Sequence, residues 1–350
     1  TLAAANELPD IFLLRSSLVD TFSRGGLIEP LNDELAEDNW KSGFIDGAFA
    51  DFLKGDKIYA IPYAMGATSL VYYNEDIFNK VGIDKFPETW SEFEVAIEKL
   101  NNAGYIPIGL GNKGKWVANS CYISALGDRF TGTDWFYNIL NNEGAKFTDP
   151  EFVNALAALQ GLAEIEAFNP DMNSIDANQQ KSLYYNEDAA MFVEGHWAIN
   201  SIMEQAPQDV IEATQVAIFP AIPEGEGVQQ STSAGSGMGY QINPELSAAE
   251  KEAALKLIKT VTGEEYSNRL IEKNGTPVFR TSNYDESKIS RLKVDYMNIA
   301  ESVQFTPVYD LHLSPSIIDV MNTGMQELLL GITTPEDLAE RLQFEYEMLN

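Results

Sequence analysis

The sequence predicts an α/β protein of two domains. Its 350 residues are 45% hydrophobic and 22% charged, which is typical of a globular protein with a sizeable core. A chain of this length usually forms more than one core, so two domains are expected. From Trp90 to about Leu329, amphipathic helical patterns alternate with short apolar runs such as IPIGL and VAIFPAI. This alternation favours an α/β architecture.

The first part of the chain predicts strands and short helices. The run LPDIFLL indicates a strand, and the helical pattern after it ends at a Gly-Gly pair. The segment KIYAIPYAMGATSLVYY alternates and then becomes continuously apolar, which indicates an extended chain with Pro62 at an edge or a crossing point. Residues 70–73 suit a buried strand, after which Asn74 can cap a short helix.

Three later helices have start signals in the sequence. Thr89 and Glu92 have the spacing of a capping box, and Ser247 and Glu250 repeat it before KEAALKLIKTV. A last helix is predicted from Pro335, which follows a threonine cap and precedes an acidic first turn. The run EGEGVQQSTSAGSG is the main Gly/Ser/Gln-rich interruption, and it leads into MGYQI, a further predicted strand.

Charge and composition exclude several kinds of partner. The chain has 23 basic and 53 acidic side chains and a net charge of −30, which disfavours nucleic acid and anionic lipid as partners. No apolar run approaches the roughly 20 residues that a membrane helix needs. Cys121 is the single cysteine, so no internal disulfide can form. The first residues, TLAAANELPDIF, lack the regions of a signal peptide, so any signal is expected to have been removed.

Motifs for several enzyme classes are missing or incomplete. The two histidines, His196 and His312, lie far apart without a His-Glu-x-x-His pattern, which disfavours zinc hydrolysis. The glycines of SAGSGMG do not have the spacing of a dinucleotide or phosphate loop, and Ser236 lacks the glycines of a nucleophile elbow. A glycosidase needs only two carboxylates at the right separation, and among 53 acids the sequence neither shows nor excludes such a pair.

Three sequence blocks carry a family resemblance. ELPDIF, IPYAMGATSLVYYNEDIFNKVGIDKFPETWSEF and AAMFVEGHWAINSI resemble, in order and spacing, the extracellular solute-binding proteins, family 1, of ABC sugar importers. The resemblance covers nearly the whole chain. It implies a type II periplasmic-binding-protein-like fold, in which two hinge-linked α/β lobes hold the ligand in a cleft between them.

The resemblance also implies a function and a location. The protein is expected to bind an oligosaccharide or another sugar and to deliver it unchanged to ABC transporter permease subunits. It is expected to be a monomer without cofactor or metal, located in the periplasm or lipid-anchored as a lipoprotein at the outer face of the cell membrane. Two alternatives stay open: a carbohydrate-active enzyme that uses a carboxylate pair, and a sugar-sensing receptor domain.

Domain boundaries follow from the same resemblance. The first lobe is expected to comprise residues 1–64 and 242–305, and the second residues 69–237 and 311–350, with crossings near 65–68, 237–240 and 307–312. Family members begin with a strand, a helix and a second strand ahead of the segment that LPDIF resembles. The first lobe is therefore expected to lack a few tens of residues, which would leave DIFLL beside an edge or a gap.

Aromatic side chains are the first candidates for a sugar site. A sugar has hydroxyls around a ring with apolar faces, so its site needs flat aromatics and fixed polar groups. Trp197 in EGHWAIN matches the aromatic that the family places in its cleft, and the alternative is a core tryptophan. Trp116 lies in the glycine-rich loop GNKGKWVANS, and the sequence leaves open whether its side chain belongs to the core or to a binding site. In contrast, Tyr73 and Trp90 are expected to be structural.

Polar candidates are more ambiguous. Asp10 could accept hydrogen bonds from sugar hydroxyls or cap a turn, and Arg15 could donate to two hydroxyls or pair with a surface acid. Tyr63 lies just before the first predicted crossing, and its side chain could either pack in the protein or contact the ligand. His196 could cap, pair or bind. Four further candidates lie at predicted cleft-facing or crossing positions: Glu194, Ser236, Asp310 and His312.

Overall fold

The structure, a computed structural model, describes residues 7–349. The first six residues of the predicted first lobe, and Asn350 at the end of the second, lie outside the described residues. The strands, which are mostly short, are β1 (Ile11–Arg15), β2 (Leu53–Lys54), β3 (Lys57–Ile58), β4 (Ile61–Pro62), β5 (Gly66–Ala67), β6 (Leu70–Asn74), β7 (Ile106–Gly109), β8 (Ala189–Glu194), β9 (Thr214–Ala217), β10 (Ser231–Gly235), β11 (Met238–Ile242) and β12 (Gln304–Thr306).

Helices make up most of the ordered chain. They are α1 (Val19–Arg24), α2 (Asn32–Ala36), α3 (Glu75–Lys80), α4 (Trp90–Asn102), α5 (Ser124–Thr131), α6 (Thr133–Leu140), α7 (Pro150–Glu164), α8 (Ala177–Tyr185), α9 (Ala198–Gln205), α10 (Gln208–Ala213), α11 (Ala248–Thr262), α12 (Glu264–Ile271), α13 (Arg291–Ser302), α14 (Tyr309–His312), α15 (Pro315–Leu329) and α16 (Pro335–Leu349). Short 3-10 helices cover Ser16–Leu18, Glu37–Gly43, Ala50–Phe52 and Glu286–Lys288, and a π-helical turn, Ala118–Ile123, leads into α5. Within the described residues, none of the helices is both long and apolar enough to cross a bilayer.

The predicted helix starts are confirmed. The Asn74 side chain accepts a hydrogen bond from the Ile77 amide at 3.1 Å, which caps α3. Capping boxes begin α4 at Thr89 and α11 at Ser247, where the side chain at the third helical position bonds back to the cap. In each case a polar side chain satisfies a backbone donor that the helix itself cannot pair.

The chain divides into two compact units. The first contains the residues up to Gly66 together with Gly235–Ser290, and the second contains Ala67–Ala234 together with the residues from Arg291 onward. The predicted lobes had the same two-part composition, but they placed residues 291–305 in the first lobe. In the structure α13 belongs to the second unit, because Leu292 and Tyr296 are buried in an apolar cluster with side chains of β6 and β8.

The first unit is built around a small antiparallel sheet. Its strands are ordered β1-β11-β4, with Ile11 opposite Ile242 and Arg15 opposite Met238. A Cβ atom on Gly239, in the central strand, would lie 2.8 Å from the Ala60 Cβ, so this close strand approach needs glycine. The buried apolar side chains of the unit come mainly from the chain up to β4, from β11 and from α11, and they include Leu35, Trp40, Phe44, Ile58, Ile242 and Ile258.

The second unit is built around a four-stranded mixed sheet. Its strands are ordered β7-β8-β6-β9, with β7 parallel to β8 and the other pairs antiparallel. All six residues of β8 are buried. Helices α4, α5, α7, α15 and α16 contribute apolar side chains to one large core cluster with this sheet. A small second sheet, ordered β12-β10-β5, pairs β10 parallel with β12.

The cap of α11 provides a test of this account of helix starts. We expect Ser247→Ala to lower the free energy of unfolding by about 1 kcal/mol, because the Glu250 amide loses its acceptor. Thr260→Ala on the exposed face of the same helix is the control and should change stability by less than about 0.5 kcal/mol. Denaturant melts of the two variants measure both effects. Equal losses in the two variants would contradict the capping role.

Candidate functional site

The carboxyl ends of β7 and β8 lie at one edge of the sheet in the second unit. These strands are parallel, with Ile106 opposite Ala189 and Gly109 opposite Phe192. The loop after β7 and the turn after β8 therefore leave the sheet at the same edge. In open α/β sheets, ligands bind outside the carboxyl ends of such strands.

Two tryptophans meet at this edge. Trp116 comes from the loop after β7, and Trp197 comes from the turn after β8. Their ring centroids are 6.0 Å apart and their planes are tilted by 50°. Trp197 is 37% exposed, whereas Trp116 is half-buried and packs partly against the large core cluster. The structure thus brings together the two aromatic residues that the sequence singled out.

The backbone beneath Trp197 is shaped to fit its ring. The indole lies over Gly195, where a Cβ atom would come within 2.2 Å of the ring. Any larger residue at this position would displace the indole, so Gly195 determines where it can lie. The His196 ring contacts Trp197 edge to face at 5.3 Å and lies 6.2 Å from Tyr296. His196 is buried, and it packs between these two aromatic rings.

Glu194 has its carboxylate buried next to Trp197. At the end of β8 it is only 2% exposed, so its carboxylate faces the protein. Its Oε1 accepts a hydrogen bond from Trp197 Nε1 at 2.7 Å and contacts Lys181 Nζ at 3.4 Å, and its Oε2 accepts from Gln180 Nε2 at 3.5 Å. Burial raises the pKa of Glu194, and the Lys181 charge and the Trp197 hydrogen bond oppose this rise. Glu194 therefore contacts Trp197 and two side chains of α8, Gln180 and Lys181.

The loop that carries Trp116 is held by α15. Lys115 Nζ donates to Thr323 Oγ1 at 2.9 Å, and Gln326 Nε2 donates to the Asn112 carbonyl at 2.9 Å. These two bonds fix the loop at Asn112 and at Lys115, the residue directly before Trp116. Helix α15 follows the loop by about two hundred residues in sequence, so local sequence patterns contain no signal for this contact.

Asp310 and His312 lie on α14. Ser120 Oγ donates to Asp310 Oδ2 at 2.8 Å, which links α14 to the π-helical turn four residues after Trp116. The His312 ring contacts Phe136 edge to face at 6.1 Å. The structure thus connects Asp310 to the segment that bears Trp116, and it places His312 beside a core aromatic ring.

Three candidates of the first unit lie at one end of its sheet. Arg15 ends β1, Tyr63 follows β4, and Ser236 precedes β11, so the strand register brings them to the same end. Asp10 precedes β1 at the opposite end, roughly 17 Å along the strand from Arg15 at about 3.4 Å per residue. One sugar ring cannot contact both Asp10 and Arg15.

The hydroxyl of Ser236 is hydrogen-bonded to the protein backbone. Its hydroxyl donates to the Ala48 carbonyl at 3.0 Å, and the backbone amides of Ser236 and Gly237 donate to Asp51 Oδ2 at 2.6 and 3.1 Å. Asp51 was missed in the sequence, because a single aspartate in a loop gives no indication of the distant amides that it binds. Tyr63 is 37% exposed, and its ring lies 5.9 Å from that of Tyr240.

Side chains that commonly bind metal ions do not cluster in the described part of the chain. Among residues 7–349, no group of three or more His, Cys, Asp or Glu side chains is arranged to hold a metal ion. The free cysteine, Cys121, is buried, and burial raises its pKa well above the ordinary value. The arrangement around Trp116 and Trp197 is instead an aromatic surface whose supporting polar groups bind one another.

One family model and several known proteins match most of the chain. A family model described as "Bacterial extracellular solute-binding protein" matches residues 1–267. A putative binding protein of Brucella abortus is 25% identical over 341 residues, which cover 93% of this chain and 76% of that protein. The multiple sugar-binding protein of Streptococcus mutans is 22% identical over 297 residues, which cover 79% of this chain and 64% of that protein.

A solved structure shares the fold. It comes from work on xylan utilization by the thermophilic bacterium Caldanaerobius polysaccharolyticus, and it superposes with a TM-score of 0.90 at 24% identity. The superposition covers 98% of this chain and 87% of that chain. The fold is therefore the type II periplasmic-binding-protein fold, as the sequence predicted.

Buried His196 makes stability depend on pH. Burial, reinforced by the charge of Lys293, lowers the pKa of His196 to about 3. An unfolded histidine titrates near pH 6.5, so the contribution of His196 to stability is complete above that pH and is lost as the pH falls toward 3. We expect His196→Gln to reduce the loss of stability between pH 6.5 and pH 4 by roughly 3 kcal/mol, measured by denaturant melts across this range.

Buried Asp128 makes stability depend on pH in the opposite direction. Burial raises its pKa to about 6, while a hydrogen bond from Thr133 and the charge of Arg129 oppose the rise. Its contribution to stability is therefore present below about pH 4 and is lost as the pH rises through 6. Relative to the wild type, Asp128→Asn should gain roughly 2–3 kcal/mol between pH 4 and pH 7. If both variants changed the pH profile in the same direction, these assignments would be wrong.

Proposed function

The chain belongs to the family of bacterial extracellular solute-binding proteins, and from this premise we propose that it binds a sugar or an oligosaccharide outside the cytoplasm. It then delivers the solute, chemically unchanged, to the permease subunits of an ABC transporter. The sugar-binding name of the Streptococcus mutans relative and the xylan context of the similar structure support this choice of solute.

The exposed face of Trp197 is the observation that carries the proposal. A buried tryptophan stabilises a core, but this ring is 37% exposed and makes a ring contact with a second tryptophan. Its N–H is already bonded to Glu194, so the ring has its apolar face left for a ligand. The C–H faces of a sugar ring fit such a surface, and the tilt of Trp116 adds a second apolar wall.

Charge favours a neutral solute over an acidic one. Lys181, beside the tryptophans, is buried and paired with Glu194, and Lys115 donates to Thr323. Both ammonium groups are thus engaged by side chains of their own unit. The net charge of −30 also repels anions at long range. A neutral sugar needs no free ammonium group as a partner, and the net charge does not repel it.

The enzyme alternative has less support at this site. Glu194 has a carboxylate in contact with Trp197, but that carboxylate accepts hydrogen bonds from Trp197 and Gln180 and pairs with Lys181. A glycosidase needs a carboxylic acid and a carboxylate that both reach the bond to be cleaved. Glu194 supports the tryptophan instead. A sensing role would use the same binding surface and differ only in the protein partner.

A ligand screen tests the proposal. We expect neutral mono- or oligosaccharides to raise the melting temperature, because a ligand at 100 times its Kd stabilises the folded state by about 2.7 kcal/mol. Chromatography of each sugar after incubation should recover it unchanged. A melting temperature that no sugar raises would refute sugar binding, and cleavage products formed at a catalytic rate would establish the enzyme instead.

The assembly and attachment of the protein are part of the proposal. We propose that it acts as a monomer and that it is held at the outer face of the membrane by a lipid or moves freely in the periplasm. The family description as extracellular supports a location outside the cytoplasm. Size-exclusion chromatography with light scattering measures the oligomeric state directly.

Truncation of Trp197 tests the site. We expect Trp197→Ala to weaken binding of the sugar found in the screen by roughly 30- to 1000-fold, because truncation of a stacking hot spot costs ~2–4 kcal/mol. The free energy of unfolding should fall much less than for a core tryptophan. Calorimetric titration and a denaturant melt measure the two quantities.

Trp135 is the matched control. It is 9% exposed and stacks on Phe152 with a centroid distance of 4.9 Å inside the large core cluster. Trp135→Ala should cost about 3–5 kcal/mol of stability. It should leave the affinity of the folded fraction close to that of the wild type. The reverse pattern, with affinity retained and stability lost in Trp197→Ala, would make Trp197 a core residue.

A further inference from the structure

We propose that the buried ion pair of Lys181 and Glu194 is a positioning device that fixes the indole of Trp197 for ligand binding. This inference rests on the proposed function, since it assigns a role to the residues behind the same aromatic surface. Neither residue presents its charged group as a ligand contact. They act through Trp197.

Trp197 and Lys181 both contact the same carboxylate oxygen of Glu194. Glu194 Oε1 accepts the hydrogen bond from Trp197 Nε1 at 2.7 Å, and the same oxygen contacts Lys181 Nζ at 3.4 Å. The Lys181 side chain is 7% exposed and that of Glu194 is 2% exposed. The Lys181 charge therefore acts on the same oxygen that accepts the indole N–H, and it opposes the rise that burial causes in the pKa of Glu194. A hydrogen bond to an ionised acceptor is about twice as strong as one to a neutral acceptor.

Stability alone does not account for this pair. Removing two charges from water has a large cost, and buried ion pairs can often be replaced by apolar residues of similar volume without loss of stability. Here the pair lies directly behind an exposed aromatic ring, and Gly195 fixes the distance of that ring from the backbone. The geometry therefore points to orientation of the indole as the role of the pair.

Orientation affects affinity through conformational entropy. A Trp197 ring without its anchor would sample several rotamers, and the ligand would have to select one of them. Ordering one side chain on binding typically weakens affinity by roughly 2- to 13-fold. This is a smaller loss than truncation of the ring itself would cause, so the two roles are separable by magnitude.

The decisive variant replaces both members of the pair. Lys181→Met alone leaves a buried carboxylate without its cation and is expected to fold poorly. The double variant Lys181→Met with Glu194→Leu removes both charges of the pair, so neither is left buried without its partner, and it keeps the side-chain volumes close to the original ones. It removes the acceptor of the Trp197 N–H and should therefore fold while releasing the indole.

The first readout needs no ligand. We expect the solvent exchange of the Trp197 indole proton, measured by NMR and assigned with Trp197→Phe, to become at least roughly 10-fold faster in the double variant. The second readout is the affinity for the sugar found in the screen, which should fall by roughly 2- to 13-fold. The separate variant Lys181→Arg keeps the ion pair and should leave both values near those of the wild type.

Lys256→Met is the matched control, because Lys256 is exposed on α11 in the first unit. Both readouts should stay at wild-type values. Unchanged indole exchange in a folded double variant would overturn the inference, as would wild-type affinity together with faster exchange. If no sugar binds the wild-type protein, the proposed function fails, while the exchange measurement still shows whether the pair holds Trp197.

Discussion

The parallel pairing of β7 with β8 is the constraint on which the candidate site depends. Because these strands run in the same direction, the segments that carry Trp116 and Trp197 leave the sheet at one edge. If β8 ran antiparallel to β7, its carboxyl end would lie roughly 20 Å away, at about 3.3 Å for each of its residues. The contact between the two tryptophans is thus a consequence of sheet topology, and neither local sequence contains it.

Burial of the ring decides what the hydrogen bond of an indole N–H contributes. Trp135 and Trp197 both donate an indole N–H to a carboxylate, Asp149 in one case and Glu194 in the other. The Trp135 ring lies among core aromatics, whereas the Trp197 ring is partly open to solvent. The same bond therefore completes a core in one place and orients an exposed surface in the other. The difference lies in what covers the ring, and that is decided by the fold.

Local signals in the sequence were enough for much of the fold. The caps at Asn74, Thr89 and Ser247 involve residues within three positions of one another, so their spacing predicts the hydrogen bonds that the structure contains. The fold type followed from a resemblance that spans nearly the whole chain. Contacts between distant segments were the part that could not be predicted.

Two examples show the physical reason for this limit. The apolar face of α13 would suit either unit, and only the burial of its Leu292 among side chains of β6 and β8 decides between them. Lys181 resembles any helix lysine in sequence, and its role depends on Glu194, thirteen residues later, which turns inward at the end of β8. The inward direction of Glu194 follows from the burial of all of β8, which its neighbours in sequence do not reveal.

The aromatic surface of the second unit is anchored on both sides. The Lys181–Glu194 pair holds Trp197 from behind, and α15 holds the loop of Trp116 through Lys115 and Asn112. A surface that is already ordered does not have to be ordered by its ligand, so more of the stacking energy appears as affinity. Sugars in water bind weakly to single hydroxyl partners, since each hydrogen bond replaces one to water. The neutral sugar that we propose as the ligand would therefore gain more from stacking on this preformed pair of indoles than from single hydrogen bonds.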